Sequence, residues 1–401
     1  LEVFIARQPI FDRNLSVYGY ELLYRNSMDN YYQGNDDNQA TAELINNAFF
    51  TMDFQKLTDG KKAFINFSQT MLEREIPLLL PKDSTVVEVL ENVKLTEEVI
   101  KVCEKLKKNG YTIAIDDFVF HQDLQLLLKF IDIVKVEFNK VDYYTQSRAI
   151  KKYGHQVFFL AEKIETREDF IKALNLGYQL FQGYFFSKPT ILKSNDLVFL
   201  NVKLLQMLEE LSKVEPNFDK LAEIIQRDLG LTYRLLKLVN SVYFSTRQEI
   251  KSVKHALVRM GIVEIKKWIF LMLLIGVKSK ENNELVKNCL IRGKMMELLA
   301  KEQKLPNPLN YFLTGMFSAI DILLNKRMQD VLDELPLDSE VKQALLGNNN
   351  RLKEYLDLVI SYEKFIWEKI ENSPVLQEIG KDKILKNYIV AIEWAMLLEV
   401  V

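Results

Sequence analysis

The sequence predicts α/β followed by all-α: an N-terminal (β/α) TIM-like barrel and a C-terminal helical domain. Three observations carry this prediction. Short β-branched runs ending in polar residues alternate with amphipathic stretches through roughly the first 190 residues, the rhythm of a parallel sheet with crossovers. From about Asn195 strand-like runs vanish and apolar residues recur every three or four positions, the period of packed helices. At 401 residues the chain is also long for one core. We place the domains at 1–194 and 195–401, with SKPTILKSND as the connector.

The first half is organised around Tyr111–Phe118, YTIAIDDF, a buried strand ending in the adjacent carboxylates Asp116 and Asp117. Before it, Phe4–Ile5 and Val17–Leu23 flank a turn at Asp12–Asn14, and Asn38–Met52 has a helical pattern. Ala63–Phe67 and Thr85–Leu90 are strands carrying Asn66 and Glu88. Leu95–Asn109 is a helix: Thr96 can cap it, Glu97 and Glu98 suit the positive end of its dipole, and Lys105, Lys107 and Lys108 suit the negative end. Strands follow at Ile131–Val136 with Lys135, at Val157–Ala161 before Glu162, and at Tyr178–Phe181 before Gln182. The helix Thr166–Leu176 is stopped by Gly177.

Composition narrows the chemistry. A formal net charge of -2 and a pI near 6.1 give no global field for nucleic acid or anionic lipid. The longest uncharged apolar run, Trp268–Val277, is too short to span a bilayer, and no signal-peptide pattern opens the chain. Cys103 and Cys289 read as reduced cysteines of a cytoplasmic protein. With only three histidines, metal chemistry would rest on oxygen ligands, hence Mg²⁺, Mn²⁺ or Ca²⁺ rather than zinc.

Glu21, Asn66, Glu88, Asp116, Asp117, Lys135, Glu162 and Gln182 all fall in or just after apolar strands. In a barrel such residues converge on one mouth, where these folds place their chemistry. Five carboxylates crowded there without a cation predict at least one raised pKa.

These residues also carry a resemblance. GYELLYR, FINFS, EVLE, AIDDF, VKVEF, AEKIET and QGYFFSKP, in that order over Val3–Pro189, resemble the EAL domain family of cyclic di-GMP phosphodiesterases and their degenerate relatives. The resemblance implies that Glu21, Asn66, Glu88 and Asp116 are metal ligands and Asp117 a second-metal or metal-adjacent acid. It makes Lys135 the lysine that holds the nucleophilic water, Glu162 a catalytic carboxylate, Gln182 a site glutamine and Arg25 a phosphate grip. Tyr24 and Tyr184 would stack a guanine or, as aromatics more often do, pack in the core. Two hard cations can activate water and clamp an in-line phosphodiester cleavage.

Four departures stand against the family pattern. Val119-Phe120-His121 replaces a Gly-Thr-Gly-like loop, and Leu22 replaces the alanine after the signature glutamate. Lys163 stands for the glycine after the sixth-strand glutamate, and Glu137 for the aspartate that follows the catalytic lysine. Together they predict a degenerate module that keeps the site's outline and loses turnover. An active phosphodiesterase opening cyclic di-GMP to linear pGpG is the alternative.

The second half contains candidate helices Leu197–Leu211, Phe218–Leu229, Thr232–Val242, Val253–Met260, Glu264–Val277, Leu285–Gln303, Tyr311–Asn325, Ser339–Leu346, Leu352–Ile370 and Lys383–Val400. Phe218–Val242 has a helix-turn-helix outline, but an ordinary αα-hairpin explains it without DNA, and no dense basic stripe accompanies Arg227, Arg234, Lys237 and Arg247. A DNA-associated regulator is therefore the weakest reading. DLGLTYRLLKLVNSVYFSTRQEIKSVKHALVRMGIVEIKKW resembles the HDOD family, a helical relative of HD-domain hydrolases that lacks their metal ligands. Where those enzymes place His-Asp, Ser318 and Ala319 stand, and His255 reads as a packed or hydrogen-bonded residue. The resemblance implies an output module that engages a protein partner, with a homodimer also open. The whole chain resembles one bacterial EAL–HDOD signalling family.

Overall fold

The computed structural model describes residues 4–25, 54–90, 92–94, 96–116, 128–183, 202–241, 250–278 and 282–399. The expected helix over 38–52, Asp117, the loop 119–121 and Tyr184 lie outside these, as do the side chains of Tyr24 and Arg25. The chain divides into two compact units. One holds Leu1–Thr190, Ser361–Asn372 and Gly380–Ile389; the other holds Ile191–Ile360, Ser373–Ile379 and Val390–Val401.

The first unit is a closed barrel of β1 (Phe4–Asp12), β2 (Val17–Arg25), β3 (Lys62–Phe67), β4 (Thr85–Val89), β5 (Thr112–Ile115), β6 (Ile133–Glu137), β7 (Phe158–Glu162) and β8 (Leu180–Phe181) in sequential order. From β2 to β8 every pairing is parallel. β1 is the exception, antiparallel to both β2 and β8. The segment read as two residues, Phe4–Ile5, is thus a nine-residue strand that closes the barrel. Its turn forms because Asp12 Oδ1 accepts from the backbone amides of Asn14 and Ser16, at 2.8 and 2.9 Å.

Two apolar layers hold the barrel. Ile10, Phe64, Val86, Ala114, Ile133, Leu160 and Leu180 plug its interior. The alternate strand residues, such as Ile65, Val87, Ile113, Val134 and Phe159, meet the surrounding helices. The helix Glu97–Lys108 is capped by Thr96, which accepts from the Val99 amide, and buries Val99, Val102, Cys103 and Leu106. Burial pushes the Cys103 thiol up to about 11, so it stays protonated. Arg167–Leu176 opens with a capping box between Thr166 and Asp169. The end of the chain also serves this unit: buried Tyr362 donates to the Ile5 carbonyl at 3.0 Å and packs edge-on against Tyr388.

The second unit is helical, and among the described residues no helix is long and apolar enough to cross a membrane. Val253–Gly276 joins two expected helices across a break at Gly261, where φ is 75°. The expected helix Tyr311–Asn325 is instead Pro308–Met316 and Ile320–Leu324. Ser318 lies in the gap, donating to Gly315 O at 2.7 Å and accepting from Arg292 at 2.9 Å, so its side chain competes with the helical ladder. Leu352–Ile370 likewise divides into Arg351–Glu363 and Trp367–Glu371, with Phe365 at φ 57° between them. His255 is exposed rather than packed, because the buried stripe of its helix runs through Val253, Ala256, Leu257 and Met260. Asn283–Glu302 and Pro308–Met316 cross at Gly293 and Gly315. A Cβ at Gly293 would lie 2.7 Å from Phe312 O, and one at Gly315 2.6 Å from the Arg292 carbonyl carbon, so only glycine permits this approach.

Beside that crossing a charge is buried. Glu297, 1% exposed, pairs with Lys267, with Lys294 at 3.1 Å and with Lys301 at 2.6 Å. Burial alone would raise its carboxyl, but Lys267 and Lys294 outweigh that and hold it down at about 2. Removing one partner from such a cluster strands the others. Glu297→Ala should therefore cost the helical unit about 3–5 kcal/mol in urea denaturation. A depressed carboxylate contributes stability above its ordinary pKa and loses it as pH falls through the folded value. Between about pH 4.5 and 2 the wild type should lose up to about 3 kcal/mol that Glu297→Gln no longer loses, visible as a flatter acid limb in its melting temperature.

Candidate active site

Strand residues two apart share a face, so the barrel plug determines what stands above it. Two positions beyond Phe64, Val86, Ala114, Ile133, Leu160 and Leu180 come Asn66, Glu88, Asp116, Lys135, Glu162 and Gln182. On β2 the plug position is Gly19, where a Cβ would meet Lys62 O at 2.7 Å and the Phe64 ring at 3.0 Å; Glu21 follows two residues on. Seven consecutive strands, β2 to β8, therefore each bring one polar side chain to the rim at their C-terminal ends.

The side chains meet around Lys135. Its ammonium pairs with Glu88, with Asp116 at 2.9 Å, with Glu162 at 3.0 Å and with Glu21 at 3.5 Å. Glu21 also accepts from Gln182 Nε2 at 2.7 Å and from Asn66 Nδ2 at 3.4 Å. Lys135 is 1% exposed and Glu88 fully buried, so water screens this charge poorly. Four carboxylates face one ammonium. Burial raises the Glu88 carboxyl well above its ordinary 4.5, with Lys135 opposing and Glu21 and Asp116 adding to the rise. Burial, with help from Asp116 and Glu21 against the pull of Lys135, pushes Glu162 up to about 7. Crowded carboxylates with raised pKa values, as expected from the sequence, are thus present at Glu88 and Glu162. Burial disfavours the Lys135 ammonium, yet Glu21, Glu88, Glu162 and Asp116 together hold its proton firmly.

The oxygens suit a hard cation. Glu88 Oε2 and Gln182 Oε1 are buried with no hydrogen-bond partner among the described residues, and every donor atom on the ring is oxygen except for amide nitrogens and Lys135. No three His, Cys, Asp or Glu side chains among the described residues are gathered as metal ligands by themselves; Lys135 stands at their meeting point. Asn66 belongs to the ring, Asp117 lies outside the described residues, and Arg25 is placed on β2 by its backbone alone.

Three of the four departures acquire an address. Leu22 faces the outer core, 3% exposed, because it alternates with Glu21; it does not crowd the ligand. Lys163, at φ 54°, turns its ammonium to Glu137 Oε2 at 2.7 Å, so the unusual residue at the end of β6 pairs with the one just past β7. Its charge is spent on Glu137 at an exposed edge of the mouth. The fourth departure, 119–121, is outside the described residues. Gln8 was not singled out in the sequence. It lies directly opposite Glu21 and two residues from Ile10 on antiparallel β1, so it shares the inner face, a position the same alternation reveals.

Removing the central cation should be severe. Lys135→Met leaves buried carboxylates facing one another and should destabilise the barrel by about 3–5 kcal/mol at neutral pH without divalent metal, measured by denaturant titration. A stability unchanged from wild type would contradict the crowded geometry.

Comparison with known proteins agrees with both halves. A model of the EAL domain matches residues 2–189 and one of the HDOD domain residues 197–352. The chain is 40% identical over 403 residues to the uncharacterized protein YuxH of Bacillus subtilis, covering 98% of each. It is 31% identical over 399 residues to the cyclic di-GMP phosphodiesterase CdgJ of Vibrio cholerae, covering 98% of this chain and 92% of that one. Among solved structures, BlrP1 of Klebsiella pneumoniae in its calcium and cyclic di-GMP complex is similar over 47% of this chain and 56% of that chain, at 23% identity and a TM-score of 0.40. The chain belongs to the EAL–HDOD two-domain family and is related to cyclic di-GMP phosphodiesterases.

Proposed function

We propose that the barrel rim binds cyclic di-GMP and, with divalent cations, hydrolyses it to linear pGpG. The observation that carries this reading is the ring of six polar side chains around Lys135, which with Lys135 itself makes one from each strand from β2 to β8. The relation to CdgJ supports the choice of substrate.

Glu21, Asn66, Glu88 and Asp116, joined by Asp117, would hold Mg²⁺ or Mn²⁺. Bound there, such cations supply a clamp on the phosphate oxygens and a more acidic water. Lys135 keeps its proton among the carboxylates, so it orients the attacking water and offsets charge rather than acting as a base. Glu162, on the next strand and 3.0 Å from Lys135, is placed to accept a proton from that water. The water oxygen joins phosphorus as the P–O3′ bond breaks; one proton passes to Glu162 and the departing 3′ oxygen takes up another from solvent. Gln182 steadies Glu21, and Arg25, four residues along β2, would grip a phosphate oxygen.

The departures that pointed to lost turnover weigh less once placed, since Leu22 faces away and Lys163 pairs with Glu137. The altered loop after Asp116 still favours a second reading, a module that binds the dinucleotide without cleaving it. For the helical unit, exposed Leu229, Tyr233, Val258 and Val263 support contact with a protein partner.

Incubating the full chain with cyclic di-GMP and Mn²⁺, followed by chromatography, separates the two readings. Linear pGpG should form, and Glu21→Ala or Glu88→Ala should slow it at least about 100-fold. Saturable binding with no linear product would establish the second reading instead. Lys163→Gly removes a left-handed lysine costing about 1 kcal/mol and an exposed ion pair worth a similar amount, so stability should stay within about 0.5 kcal/mol and turnover within about threefold.

A further inference from the structure

The last stretch of the chain lies beyond both family matches, which end at residues 189 and 352. Even so, Ser361–Asn372 and Gly380–Ile389 belong to the same compact unit as the barrel. They meet it at the level of the rim. β1 runs antiparallel to β2, so its first residues stand beside the rim end of β2: Phe4 opposite Arg25, Ile5 opposite Tyr24 and Gln8 opposite Glu21. Among the described residues β8 pairs with β1 only at the far end, at Phe11 and Asp12. The rim half of β1 is there a ribbon with β2 alone, and two-stranded ribbons are marginal in water. At this end the fully buried Tyr362 donates its hydroxyl to the Ile5 carbonyl at 3.0 Å.

The anchor is itself fixed. Past the end of its helix, the Phe365 amide donates to Tyr362 O at 3.1 Å and the Ile366 amide to Ser361 O at 2.9 Å, the paired bonds of a Schellman ending. Glycine usually fills the left-handed position of that motif; here it is Phe365, at φ 57°, its ring edge-on to Trp367 with centroids 4.8 Å apart. A bulky residue stays in that region only where its surroundings over-determine it. The Tyr362 ring packs in turn against Tyr388, with centroids 5.1 Å apart. Glu21 has further restraints in Lys135, Gln182 and Asn66, whereas Arg25 directly follows the anchored pair of Ile5 and Tyr24. We infer that Tyr362 is a positioning residue for the rim: by securing the Ile5 carbonyl it fixes the end of the β1–β2 ribbon that carries Arg25, and so sets the affinity for the dinucleotide. This inference rests on the reading of the rim as a cyclic di-GMP site.

The test compares the full chain with its Tyr362→Phe variant, which loses the hydroxyl and keeps the ring. Hydrogen exchange read by mass spectrometry should quicken about fivefold over residues 4–6 and 23–25, the size of one net hydrogen bond, and stay unchanged over 10–12 and 17–19. With cyclic di-GMP and Mn²⁺, KM should rise about fivefold while kcat stays within about twofold, the pattern of a lost binding contact. Where the wild type binds without cleaving, the calorimetric Kd for cyclic di-GMP should rise by the same factor. Tyr388→Phe, which removes the neighbouring hydroxyl and keeps the donor to Ile5, should alter neither local exchange nor affinity. Exchange quickened evenly through the barrel would make Tyr362 a general stabiliser and overturn the inference, as would unchanged exchange at the rim end or unchanged affinity. A wild type that neither binds nor cleaves cyclic di-GMP would overturn the reading of the rim, and the inference with it.

Discussion

The barrel's chemistry depends on one buried ammonium. Lys135 stands where Glu21, Glu88, Asp116 and Glu162 converge, and no other cation among the described residues pairs with them there. Largely shielded from water, such charges interact several times more strongly than at a surface. Glu88 and Glu162 respond by holding protons more tightly than free carboxylates do. A rim in this condition is short of positive charge. That shortage is what a divalent cation would relieve.

The ring exists because alternation and closure act together. Each strand from β3 to β8 inserts one apolar side chain into the plug and, two residues later, one polar side chain at the rim; on β2 Gly19 makes room for Phe64 before Glu21. Closing the sheet converts seven such pairs into two stacked layers. The apolar layer excludes water from below, which gives the polar layer its low-dielectric floor. A register slip of one residue would send a site residue to the outer core.

Much of this was legible. Glycine stops, β-branched runs and polar residues at their ends mark the strands in the sequence, so the convergence of Glu21, Asn66, Glu88, Asp116, Lys135, Glu162 and Gln182 on one mouth was legible. Other features were hidden for identifiable reasons. β1 looked like two residues because Arg7, Gln8 and Pro9 interrupt its apolar pattern, and its antiparallel direction follows from the tight turn at Asp12. Leu22 stands out in the sequence as a departure beside Glu21, although the two-residue period sends it to the other face. The partnership of Lys163 with Glu137 joins residues 26 apart and depends on the β6–β7 register, which no local pattern displays. In the second half of the chain, periodicity located the helices but not the breaks at Ser318 and Phe365, where side-chain hydrogen bonds or backbone sign intervene. Nor does an amphipathic pattern say which core a helix joins, so Tyr362 donating to Ile5 could not be anticipated.

The central proposal, that a rim whose carboxylates outnumber its one ammonium takes up hard cations, is tested most directly by titrating Mn²⁺ into the metal-free full chain by calorimetry, in two buffers of different ionisation enthalpy. The account predicts saturable binding accompanied by proton release, because a cation beside Glu88 and Glu162 would oppose the burial that raises their carboxyls. Absence of saturable binding would contradict it.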